Sequence, residues 1–90
     1  MTFDWPNTGD RVVGEYLDHA FQGVVTGVDF AHEPLGRRYA VRFDAPIDVS
    51  KSKLMSIPRL NVRALIAPTG ASIDAKGRPD GIMTLRAAGG

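Results

Sequence analysis

The sequence predicts an all-β fold: a small barrel of about five short strands with a Gly/Pro-rich C-terminal hairpin or tail. Three observations carry that expectation. Apolar and polar residues alternate over short stretches, most cleanly at 38–44 and 60–66. β-branched residues concentrate in such stretches, above all at 22–30. Gly and Pro punctuate the chain too often for a helix of normal length, and no stretch carries a helical period.

Size and composition bound the rest. The chain has 90 residues, enough for one domain with a small core. It has no Cys, so neither a disulfide nor a thiolate metal site is available. Its two His, His19 and His32, are far apart in sequence, which argues against zinc. Packing must therefore supply the stability, and self-association into a homo-oligomer could add to it. The first residues, M-T-F-D-W-P, place an acid and a Pro where a signal peptide needs a basic and then an apolar run. The longest apolar run, 64–68, is far too short to span a membrane. These features lead to the expectation of a cytoplasmic protein with no membrane partner.

Taken in order, residues 1–9 read as an irregular lead-in whose Trp5 caps one end of the core. Residues 11–17 form a first strand, with Val12 and Tyr16 on one face and Val13 and Leu17 on the other. Gly14 within it signals a bulge or a close backbone approach. Residues 17–20 read as a connection, followed by a strand at 22–30 in which Val24, Thr26, Val28 and Phe30 share a face. Glu33-Pro34 and Leu35-Gly36 mark a loop at 31–37. The next strand, 38–44, points Tyr39, Val41 and Phe43 inward and Arg38, Ala40, Arg42 and Asp44 outward, and Pro46 ends it. Residues 48–53 are turn-like, and 54–57 form a short strand stopped by Pro58. Leu60, Val62, Ala64 and Ile66 line one face of the strand at 60–66. Residues 71–74 and 82–86 can pair as a hairpin across 75–81, within which 77–81 reads as a tight turn with Pro79 and Gly81 at turn positions. The barrel is thus assigned to 1–68, and 69–90 to a hairpin or tail of the same domain.

Three stretches, Gly9-Asp10-Arg11-Val12, Phe21-Gln22-Gly23 and Tyr39-Ala40-Val41, resemble the core of SH3-like barrels. In particular they resemble the plasmid-encoded type II dihydrofolate reductases over about residues 9–65. That resemblance implies an SH3-like fold, with reductase activity as a remote alternative. The family's Val-Gln-Ile-Tyr site corresponds here to Met55-Ser56-Ile57-Pro58, where Ser56 and Pro58 replace the Gln and the Tyr.

Charge points to a binding role. Residues 1–36 hold six acids and one base, and residues 37–90 hold ten bases and four acids, for a net charge of +1. Arg37, Arg38, Arg42, Lys51, Lys53, Arg59 and Arg63 form a basic group suited to nucleic-acid phosphates. Tyr16 and Phe21 are the aromatics read as free to receive an extended peptide, which makes a protein-interaction module of SH3-like type the alternative. His19 and His32, with carboxylates beside them in sequence, read as exposed loop residues, and no motif marks Ser50, Ser52, Ser56 or Ser72 as a nucleophile. The expected protein is a small non-enzymatic accessory protein of a bacterial type. It needs no cofactor, its first expected partner is nucleic acid and its second is another protein.

Overall fold

The computed structural model describes residues 3–45, 47–48, 56–57 and 61–88, with backbone alone at 47–48, 56–57 and 61. The described residues form eight strands: β1 (Arg11–Tyr16), β2 (His19–Asp29), β3 (Arg37–Phe43), β4 (Ile47–Asp48), β5 (Ser56–Ile57), β6 (Asn61–Ile66), β7 (Ala71–Ile73) and β8 (Pro79–Ala87). Six of them close an antiparallel barrel in the order β1-β2-β3-β6-β7-β8, and β8 returns to pair with β1. β4 and β5 form a separate two-stranded sheet. There is no helix among the described residues, so none is long and apolar enough to cross a membrane. The all-β barrel expectation holds, with six barrel strands in place of about five. The C-terminal segment is a hairpin, not a tail, and its β8 supplies the strand that closes the ring.

β3 shows why the alternation matters. Tyr39, Val41 and Phe43 are buried, and Arg38 and Arg42 point into solvent. The inward side chains join Val12, Phe21, Val25, Ile66, Met83 and Leu85 in one core. Burial of each large apolar side chain stabilises by roughly 1.5–3 kcal/mol, so this cluster is the main source of stability. The lead-in covers one end of it, as the position of Trp5 suggests. Trp5 stacks on Tyr39 at 6.3 Å between centroids, and Phe3 meets Trp5 edge-on at 4.9 Å. The Tyr39 hydroxyl donates to the Pro6 carbonyl at 2.7 Å, tying the segment down. Burial raises the Tyr39 phenol above its ordinary pKa, so it stays a neutral donor.

Two local features depart from the sequence expectation, and at Gly14 one of its two alternatives is realised. β2 begins at His19, because Leu17 and Asp18 make a two-residue turn with φ of 50° and 67°. A bulge then shifts the β2–β3 register, from Val25 opposite Val41 to Gly27 opposite Ala40. Thr26 is the extra residue, so Val28 packs against the core while Val24 and Thr26 lie on the opposite side from Val25. At Gly14 the close approach, not a bulge, is what the structure contains, with β8 lying directly against it.

The β7–β8 turn sits at Asp74–Gly77, at the start of the expected 75–81 connection, and 79–81 are not a turn, since Pro79 opens β8. The Asp74 carboxylate organises it, accepting from the amides of Lys76 at 2.8 Å and Arg78 at 3.0 Å. The Arg78 amide bond comes first among the causes that hold this carboxyl below its usual pKa. A depressed carboxyl contributes stability that is present above its unfolded pKa of about 4 and lost as pH falls through the folded value. The amide NMR signals of Lys76 and Arg78 should therefore hold steady through pH 5 and move together in more acid solution. Asp74→Ala should hold them near their acid positions at every pH. Signals in that variant that match the wild type at neutral pH would remove Asp74 from this role.

Candidate functional site

The barrel sorts the seven basic residues singled out by charge into three groups. Lys51, Lys53 and Arg59 lie outside the described residues, as do Met55 and Pro58 of the reductase-like stretch. Arg37 is not part of a free cationic face. Its guanidinium lies over the rings of Trp5 at 4.6 Å and Phe30 at 4.9 Å, and its Nε donates to Glu33 Oε1 at 2.8 Å. A cation held by two aromatic faces and a carboxylate clasps the lead-in to the β2–β3 loop and is spent on that task.

Arg38, Arg42 and Arg63 do come together. Along β3, Arg38 and Arg42 are separated by Ala40, and Arg63 on β6 sits opposite Ala40. Arg63 is therefore the diagonal neighbour of both. All three are exposed, and no hydrogen bond or ion pair holds them among the described residues, where Arg11 is paired with Asp44 and Arg78 with Asp74. Small residues make the floor between them. A depression of about 350 Å³ is lined by Gly27, Val28, Asp29, Arg38, Ala40 and Arg63. A second of about 360 Å³ lies beside Arg42, against Val24, Thr26 and Asp44. A larger one, about 540 Å³, lies elsewhere on the barrel against Glu15, Gln22 and Arg86 and has mixed charge.

The aromatic candidates are corrected. Phe21 is buried, 6% exposed, with its ring 4.6 Å from that of Phe43. Tyr16 is half-buried, edge-on to Phe43 at 5.7 Å. Neither is a free platform for a peptide, because both help fill the core. Phe30, expected on a strand face, lies just past the end of β2 and is 55% exposed, with the Arg37 guanidinium over its ring.

No catalytic grouping appears among the described residues. Ser72 is fully buried, donates to the Asp80 carboxylate and accepts from the Met83 amide at 2.8 Å, so it is locked in place. His19 is exposed as expected, whereas His32 is half-buried with its Nδ1 enclosed and unpartnered. Neither His is hydrogen-bonded to a carboxylate among the described residues. Metal-assisted chemistry needs about three converging donors. No three of His, Cys, Asp or Glu converge among the described residues. Of the chain's two His and ten acids, only Asp48 has its side chain outside them. Among the described residues of one chain, then, no set of donors for a metal ion is assembled.

Fold and face together define a small closed β-barrel with a cationic outer patch. The chain belongs to a glyoxalase family: a family model described as "Glyoxalase superfamily protein" matches residues 3–87. No curated protein and no solved structure matches. The resemblance to type II dihydrofolate reductases is not shown by these comparisons, and the family found is a different one.

Proposed function

We propose that this member of the glyoxalase superfamily is a binding module without chemistry of its own, and that it holds nucleic-acid phosphates on the outer face of β3 and β6. One observation carries the reading: Arg38, Arg42 and Arg63 converge, exposed and unpaired among the described residues, around a floor of Ala40 and Gly27. Guanidinium groups match phosphate oxygens in a bidentate way, and leaving three of them unneutralised favours an anionic partner. The aromatic residues of β3 face inward, so this strand offers no ring on which bases could stack. Affinity should come from charge.

Fluorescence titration of labelled oligonucleotides at two salt concentrations tests this. Replacing Arg38, Arg42 and Arg63 together by Ala should abolish measurable binding and leave the circular dichroism spectrum unchanged. Each arginine replaced singly should flatten the plot of log affinity against log salt by roughly 0.7 to 0.9. Wild-type protein that binds neither DNA nor RNA at about 50 mM salt, where phosphate pairing is strong, defeats the reading.

A second reading, a catalyst acting on a small molecule, is favoured by the family membership. Its mark would be a ligand whose binding ignores salt and survives removal of the three arginines.

A further inference from the structure

The cationic patch contains one feature that phosphate binding alone does not explain. Asp29, at the end of β2, lines the depression between Arg38 and Arg63 and lies opposite Arg38 across the strands. A carboxylate there opposes phosphate. Its Oδ1 accepts from the Ala31 amide at 2.9 Å, and its Oδ2 has no partner among the described residues. The rest of the depression is shallow: Gly27 and Ala40 make its floor, and Val28 borders it from a position whose side chain packs against the core. Its volume of about 350 Å³ is within the range of small-ligand pockets. A floor of small residues, two guanidiniums beside it and one spare carboxylate oxygen suit a particular ligand: a nucleotide unit whose phosphates meet the arginines and whose base lies over the floor with its edge toward Asp29.

We infer that the depression receives an unpaired base carrying an exocyclic amino group, presented by a single strand, with Asp29 accepting from that amino group. The inference rests on the phosphate-binding reading above. A carboxylate accepts from the amino group of cytosine but meets only a carbonyl oxygen at the same position of uracil. The base must be unpaired, because a base within a duplex is stacked between its neighbours and its ring cannot enter the depression, even though its amino group still shows one hydrogen in the major groove.

Oligo-dC and oligo-dU of equal length test this, since the bases differ where Asp29 would read them. The wild-type protein should bind oligo-dC about three- to tenfold more tightly, in line with the discrimination a single base contact provides. Asp29→Asn keeps an acceptor for the Ala31 amide, so the fold should persist, as circular dichroism can verify. That variant should lose the preference and bind oligo-dU more tightly than wild type does, because a repulsive charge is gone. Equal wild-type affinity for the two strands, or a preference that survives in Asp29→Asn, overturns the base-reading inference and leaves phosphate binding standing. Absence of binding to either strand at about 50 mM salt overturns both.

Discussion

Val41→Asp should leave the chain unfolded at room temperature. Val41 is fully buried at the centre of β3, opposite Val25 on β2 and Val62 on β6. A carboxylate placed there has no described partner and would lie among the apolar side chains of the core. Burying it unpaired costs several kcal/mol, even after its pKa rises to meet the environment. A domain of this size has only about 5 to 10 kcal/mol to lose. Far-UV circular dichroism should show the strand spectrum replaced by that of a disordered chain. Arg42→Ala, one residue away and outward-facing, is the control and should change stability by no more than about 0.5 kcal/mol. A Val41→Asp protein that melts cooperatively near the wild-type temperature would mean that the two faces of β3 are assigned the wrong way round.

That face assignment is readable in the sequence because β3 alternates without interruption from Arg38 to Phe43, and parity then puts Arg38 and Arg42 together. Strand pairing is not readable there, so the meeting of Arg63 with them across Ala40 is visible only in the fold. Phe21 escapes the pattern for a simpler reason. A turn made by Leu17 and Asp18 carries no Gly or Asn to announce it, so residue types alone start the strand three residues late. Begun at His19, the period of two puts Phe21, Gly23 and Val25 inward together. The bulge at Thr26 then breaks that period, and nothing in the local residue types marks where. Arg37 is the instructive case for the site. The Glu33 four residues before it hints at a local pair, but capture by Trp5, 32 positions away in the chain, is a tertiary event. Charge clusters in sequence therefore overstate the free cationic surface, because folding neutralises some of their members.

Two glycines on the barrel wall should respond in opposite ways to the same added methyl. At Gly14 a Cβ would overlap the backbone oxygen of Thr84 and come within 2.8 Å of its carbonyl carbon. Neither strand can yield easily, since β1 and β8 are paired from Val12 to Tyr16 and their pairing is what closes the ring. Gly14→Ala should therefore part the β1–β8 seam, at a cost of about 3 kcal/mol or more. Each kcal/mol corresponds to a drop of about 4 to 8 °C in melting temperature for a domain this small. Amide exchange should accelerate first along β8, which then lacks its closing partner. At Gly27 the nearest atom to an added Cβ is the Ala40 methyl at 4.0 Å, an ordinary contact. Gly27→Ala should hold or raise the melting temperature, because it restricts the unfolded chain by about 0.4 to 1 kcal/mol without strain in the folded one. Yet Gly27 is part of the floor between Arg38 and Arg63, so the same methyl makes the depression shallower. Gly27→Ala should thus be a more stable protein that discriminates oligo-dC from oligo-dU less well, while its salt dependence stays that of the wild type. A melting temperature lowered by Gly27→Ala, or unchanged by Gly14→Ala, would show that the bulge and the seam are not where the barrel puts them.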